Sequence, residues 1–238
     1  MTNHTLQDRT EQELLWWRRR DFMSAAAIWA SSLALGVHAQ PRSNVVSQTG
    51  DVLVNEKNRE PNQSIQVGDS IHTGPGSGLV LVMGKNALQL RANTKITLEG
   101  RSDSAIIQTL RIIQGGVVSI WGPGEQRRIT TPTMVAGIRG TGVYTEVLEN
   151  QDNRSYFCTC YGSVALEAGT DKKFSSTSYH EAFWGEPKAV RGRYLTPAKM
   201  LNHADEELEY LAQLVQQKTA WQIAGFKSGS KAYQDTTY

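Results

Sequence analysis

The stretch that most restricts how this chain can fold is Ile129–Val147, ITTPTMVAGIRGTGVYTEV, in which two apolar runs flank the tight centre Ile138-Arg139-Gly140-Thr141-Gly142. Val143, Thr145 and Val147 are β-branched and alternate with Tyr144 and Glu146, the period-two pattern of a half-buried strand. Pro132 cannot donate to a ladder and belongs at an edge or a turn. The central glycines permit positive φ or a close backbone approach that a side chain would forbid. Arg139 stands between apolar runs and calls for a partner; a structural salt bridge or carbonyl contact explains it more simply than a ligand does.

The same grammar extends from Thr49 to Leu166, where short apolar stretches recur between turn signals and the chain's 21 glycines fall largely at turn spacing. Gly84-Lys85-Asn86 reads as a hairpin connection between Leu79–Met83 and Ala87–Leu90, with Leu88 and Leu90 turned inward. Ile106–Ile113 and Val117–Trp121 read as two strands joined through Gly115-Gly116, and Gly122-Pro123-Gly124 ends the run. Many short strands at this spacing predict an all-β sandwich or barrel. Beyond the leader, no helix of ordinary length fits before Pro197.

TPTMVAGIRGTGVYTEV resembles the hallmark of the FecR domain family: a Thr-Pro turn, an apolar run, Arg-Gly-Thr and a further strand, carried here by Thr131, Pro132, Arg139, Gly140 and Thr141. Upstream, Ile65-Gln66-Val67-Gly68-Asp69-Ser70-Ile71-His72-Thr73-Gly74 is similar to another family element, and so is Leu110–Val117; together the pieces span about residues 50–148. The resemblance implies a FecR-like β-sandwich or barrel on the outer side of a bacterial inner membrane, used for sensing or binding and not for catalysis. The family's sigma regulators carry a cytoplasmic segment ahead of a membrane span. Here only a short, tryptophan-tipped peptide precedes the signal, so sensing or scaffolding is expected before direct contact with a sigma factor.

Residues 1–39 read as an export signal. Arg18-Arg19-Arg20-Asp21-Phe22-Met23 is similar to the twin-arginine pattern, Phe22–Val37 is uncharged, and Val37-His38-Ala39 is a small-residue cleavage site. The apolar run is short for a permanent span, so contact with the membrane is expected only through the signal unless it is retained as an anchor. Its removal takes away as many acidic as basic residues and leaves the net charge at +2. No bulk field or aromatic-interleaved basic patch points to nucleic acid.

Four segments are expected: the signal over 1–39, a β domain over 40–192, a helical segment over 193–224 and a loose tail over 225–238. Glu167–Thr177 is polar, and Tyr179–Trp184 is an aromatic patch that holds His180. Thr196-Pro197 offers a helix start, with Asn202 as a second one. Met200, Leu201, Ala204, Leu208, Leu211 and Val215 recur at helical spacing, as in a helix docked on its own domain.

Cys158 and Cys160 are the only cysteines. On a strand they share one face, about 6.5–7 Å apart at Cα, at the far end of disulfide range. Three readings stay open. One is a strained disulfide or two packed thiols. The second is a metal site, with His180 as third ligand and His203 or an acid as fourth, suited to zinc, iron or copper. The third is thiol–disulfide exchange, which needs an exposed thiol of low pKa. By default His180 is a packed residue, His203 a surface or capping one and His72 structural.

No Ser/His/Asp arrangement, phosphate-cradling loop or catalytic carboxylate pair can be defended from the sequence, and catalysis is not expected. The expected function is a periplasmic sensing, binding or scaffolding module with an envelope protein or a glycan as partner, the glycan suggested by Trp121 and Trp184. The alternative is a periplasmic metal-binding or redox protein built on Cys158, Cys160 and His180.

Overall fold

The computed structural model describes residues 43–101, 106–124 and 126–226. The expected signal (1–39) lies outside these residues, as does residues 227–238 of the expected tail.

The amino-terminal strands are β1 (Val45–Thr49), β2 (Val52–Val54), β3 (Lys57–Asn58), β4 (Ser70–Thr73), β5 (Gly78–Met83), β6 (Asn86–Leu90) and β7 (Lys95–Arg101). Three long strands follow: β8 (Ile106–Ile120), β10 (Val135–Leu148) and β11 (Arg154–Ala168), with the short β9 (Arg127–Thr130) between the first two. Then come β12 (Asp171–Thr177), β13 (Glu181–Val190), β14 (Arg193–Ala198) and the helices α1 (Asp205–Leu214) and α2 (Ala220–Ile223). All fourteen strands belong to one sheet, whose main path runs β14-β13-β11-β10-β9-β8-β7-β4-β2-β3. The β5–β6 hairpin joins it through β6 and β8, with Gly84 and Lys85 at its tip.

The long strands change neighbours along their length. β10 pairs with β9 from Val135 to Ile138 and with β8 from Gly142 to Val147. β11 pairs with β13 from Ser155 to Thr159 and with β12 from Gly162 to Ala168. The change falls at one corner, where the β10–β11 register slips between Arg139 and Gly142. Gly140 (φ +61°) and Gly162 (φ +95°) turn that corner in conformations L side chains rarely adopt, and a Cβ on Gly162 would lie 2.6 Å from Thr141 Cγ2. Arg139-Gly140-Thr141 is thus the bulge at which the strand is handed from one partner to the next. Pro132 is exposed in the turn ahead of β10, where Thr131 N–H donates to the Met134 carbonyl and Met134 N–H to Thr131 Oγ1.

Two expectations need correcting. Gly115 and Gly116 do not separate two strands, because the ladder to β10 runs through them opposite Val147 and Glu146. Glu167–Thr177, where polar residues obscure the strand pattern, supplies the end of β11 and all of β12, a hairpin polar because its outer face is solvated. Thr196-Pro197 does not start a helix. Pro197 lies in β14 opposite Phe183, and an edge strand tolerates its missing N–H. The helix begins at Asp205, where Glu207 Oε2 accepts the Ala204 N–H at 2.9 Å.

Strict alternation sorts the side chains into two cores. Val143, Val147, Phe157, Leu88, Leu90, Leu98 and Leu110 point into a core drawn from almost every strand, so the sheet curls around it. Tyr144, Tyr156, Cys158 and Cys160 point the other way, with Val80, Val118 and Ile120. This second face is covered by Leu208, Leu211 and Ala212 of α1 and Trp221 of α2, so the apolar stripe docks on its own domain. Burial of Leu208 and Leu211 contributes about 1.5–3 kcal/mol each. Among the described residues, no helix is long and apolar enough to cross a membrane.

Candidate metal centre

The two cysteines sit on the helix-covered face of β11, where period two aims both thiols at the carboxy-terminal segment; both are free and fully buried. His180 occupies the connection between β12 and β13 with φ at +30°, and its N–H donates to the Cys160 carbonyl at 3.0 Å. His203 lies two residues ahead of α1 and is 3% exposed, so it is a core residue and not the surface residue its sequence context suggests.

These four side chains converge. Cys158 Sγ is 3.4 Å from His180 Nδ1, Cys160 Sγ is 3.4 Å from His203 Nε2, and the two imidazole nitrogens are 3.2 Å apart. The four atoms all lie within 4.8 Å of one another. A tetrahedral ion with bonds of about 2.0–2.3 Å spaces its donors about 3.3–3.8 Å apart, so the set has the dimensions of a four-coordinate sulfur–nitrogen site.

Each histidine is oriented from behind. His203 Nδ1 lies 2.6 Å from the Leu201 carbonyl, which can only accept, and His180 Nε2 lies 2.8 Å from Asp205 Oδ1. Asp205 also takes the Tyr179 hydroxyl at 3.0 Å and occupies the first turn of α1, where the helix dipole favours negative charge. With the outer nitrogens donating, His180 Nδ1 and His203 Nε2 face each other as acceptors unless a cation, proton or metal, stands between them. Aromatic rings wall the cluster off: Tyr144 stacks on His203 at 4.9 Å, Trp221 stacks on His180 at 5.7 Å, and Tyr179 meets His180 edge-on at 4.4 Å.

Electrostatics follow the geometry. Burial alone pushes the Cys158 thiol up, but the Cys160 thiol and the His203 and His180 imidazoles outweigh it and hold Cys158 well below the ordinary thiol range. Burial and then Cys158 push Cys160 well above that range. Burial opposes charge on His180, yet Cys158 and Asp205 together raise it to about 9. These shifts run in the direction of a thiolate at Cys158 beside a protonated His180.

The remaining candidates lie elsewhere. Arg139 is exposed at the bulge and its side chain, among the described residues, makes no hydrogen bond or ion pair, so the expected structural partner is not found there. His72 is exposed. Trp121 is 1% exposed and donates to Ser119 Oγ, while Trp184 is half-buried with the Arg154 guanidinium 4.0 Å over its ring. Sequence reasoning missed Asp205, whose signal was its place two residues after His203. It also missed the buried Arg91–Glu207 pair, which no sequence spacing betrays.

Residues 69–165 match the FecR protein family. The match starts later than the resemblance over 50–148 and runs further, taking in Cys158 and Cys160 but stopping before His180 and His203. No curated protein matches the chain. Two crystal structures of a "putative anti-sigma factor" from Parabacteroides distasonis ATCC 8503 are similar in fold, at 12% identity with TM-scores of 0.45 and 0.44. Each similarity covers 60% of this chain, which spans 64% and 63% of the lengths of those two proteins. The family match supports a role in signalling or regulation.

Proposed function

We propose that this chain, which carries a FecR domain over residues 69–165, is an exported regulatory module that senses or scaffolds in the periplasm by binding an envelope protein, without catalysis. The family match is the observation that carries this reading. It covers β4 to β10 with most of β11, the frame of the curled sheet.

The chemistry-bearing cluster agrees with binding. Thiol–disulfide exchange requires an exposed thiol, whereas Cys158 and Cys160 are both fully buried, which weighs against the redox alternative. The cluster lies beneath the helical segment, so the outer surface of the domain is left for a partner. The test is crosslinking of the full-length protein in cells followed by fractionation. One reproducible envelope partner recovered from the periplasmic fraction supports the reading. Mature protein confined to the cytosol, or no specific adduct at native abundance, overturns it.

A further inference from the structure

We propose that Cys158, Cys160, His180 and His203 bind one zinc ion in a closed four-coordinate site, and that this ion fastens the carboxy-terminal segment, residues 199–223, to the sheet. The proposal goes beyond the regulatory reading and does not depend on the identity of any partner.

Four observations carry it. The donor set, two sulfurs and two imidazole nitrogens with separations of 3.2 and 3.4 Å along the contacts made, fits a tetrahedral ion of borderline softness. The outer nitrogens of both rings are already engaged, one by a carboxylate and one by a carbonyl, the arrangement that fixes the ring tautomer and strengthens a metal ligand. Cys158, Cys160 and His203 are buried and the His180 side chain is 4% exposed, beneath Tyr144, Tyr179 and Trp221, a closed surround that points to a structural ion. The donors also come from three places in the fold: β11, the β12–β13 connection and the segment ahead of α1.

Charge selects among metals. Entry of a divalent ion displaces two protons from the cluster and forms two metal–thiolate bonds, so the net charge of the buried site does not change. A monovalent copper ion would leave one extra negative charge beside Asp205, a costly change in a site shielded from water. Zinc meets the charge and geometry and supplies no redox chemistry that a closed site could use.

The fastening follows from what His203 is attached to. Residues 199–207 already touch the sheet at several points: Tyr156 Oη donates to the Lys199 carbonyl and accepts the Leu201 N–H, and Arg91 reaches the Asn202 carbonyl and Glu207. A metal bond to His203 adds a link to β11 across 43 residues of sequence, and Asp205 ties the first turn of α1 to the same centre through His180. Loss of the ion should loosen this segment first and the curled sheet last.

Full-length protein purified without chelator or immobilised-metal resin should contain one equivalent of zinc by elemental analysis. Cobalt exchanged into the site should give the visible bands of a tetrahedral ion and a sulfur-to-cobalt charge-transfer band. Cys160→Ser and His203→Gln should lose the ion. Asp205→Asn, which keeps all four ligands, should weaken zinc binding by about 10–100-fold in a chelator competition while the β-sheet circular dichroism stays unchanged. Hydrogen exchange in residues 199–223 should accelerate on chelation, with β8 and β10 protected as before. Folded protein that takes up neither zinc nor cobalt overturns the proposal. So do a Cys158–Cys160 disulfide in the exported protein, stoichiometric iron or copper in place of zinc, and metal that survives both ligand variants. Exchange in residues 199–223 that ignores chelation overturns the fastening. Partner crosslinking that fails while zinc is present would sink the regulatory reading alone.

Discussion

The two faces of the sheet bury comparable side chains in very different company. Inside the curl, Leu88, Leu90, Leu98, Leu110, Val143, Val147 and Phe157 pack in one mainly apolar cluster, with hydroxyls such as Thr145 and Thr159 on the same strand faces. Under the helices, Tyr144, Tyr156 and Val118 share their core with two thiols, two imidazoles and the ion pair of Arg91 with Glu207. Apolar packing is non-directional and tolerates many neighbours. A buried polar network is satisfied in one arrangement only and costs heavily when one member is removed. The first face therefore holds the domain together, while the second fixes where a separate segment lies and makes that placement sensitive to charge.

The largest effect expected from breaking the second face is that of Glu207→Gln. Arg91 approaches Glu207 at 2.6 Å and is 5% exposed, and Gln89 Nε2 donates to the same carboxylate. Removing the charge leaves the guanidinium buried without its partner, at about 3–5 kcal/mol. Denaturant titration should show this loss, and hydrogen exchange should place it in residues 199–214. Acid offers the same test without a mutation. Burial would raise the Glu207 carboxyl, but Arg91 outweighs it and holds it below its ordinary 4.5. A depressed carboxyl contributes stability that is fully present above its unfolded value and is lost as pH falls through the folded one. Protection of residues 199–214 should hold down to about pH 4.5 and decline below it, and a decline confined to neutral pH would contradict this assignment.

Leu110→Ala probes the first face. Its side chain is fully buried, and the cavity should cost about 2–5 kcal/mol. The loss should be global, raising exchange in β7, β8 and β10 together, because this core is shared by almost every strand. An effect confined to one hairpin would mean that the sheet does not fold as one unit.

The first face is also the one that could be read from the sequence. Alternation in Val143–Val147 and in Ala87–Leu90 gave both strands and the inward Leu88 and Leu90, and the Cys-x-Cys spacing placed both thiols on one side. The half-buried reading of Val143–Val147 failed, because the helical segment covers the second face and buries Tyr144 and Glu146 too. Local signals failed where pairing at long range decided. Thr196-Pro197 has the grammar of a helix start, but the β13 edge holds it extended. Gly115-Gly116 has the grammar of a turn, yet the ladder to β10 continues through it. For the fourth donor, the choice between His203 and an acid depended on where a segment 43 residues away would settle, and nothing in local spacing records that.

The corner between the two halves of β10 and β11 separates backbone from side-chain effects. Gly162→Ala meets a positive φ together with a Cβ contact of 2.9 Å to the Gly140 carbonyl oxygen, which the backbone cannot yield cheaply. A loss of about 1–3 kcal/mol is expected, read by thermal denaturation; an unchanged melting temperature would show that the corner is not strained by a side chain.

The smallest effect on stability belongs to Arg139, beside that corner. It is exposed and unpaired among the described residues, so Arg139→Ala should shift unfolding by no more than about 0.5 kcal/mol. An arginine inside a strand, flanked by Ile138 and Gly140, whose side chain has no ion-pair partner among the described residues, is available to an acidic group on another molecule. If the domain regulates by binding, the variant should keep its fold and any zinc and yet give weaker crosslinking to the envelope partner. Undiminished crosslinking would move the contact surface away from the bulge, and a large loss of stability would show that the arginine serves the sheet after all.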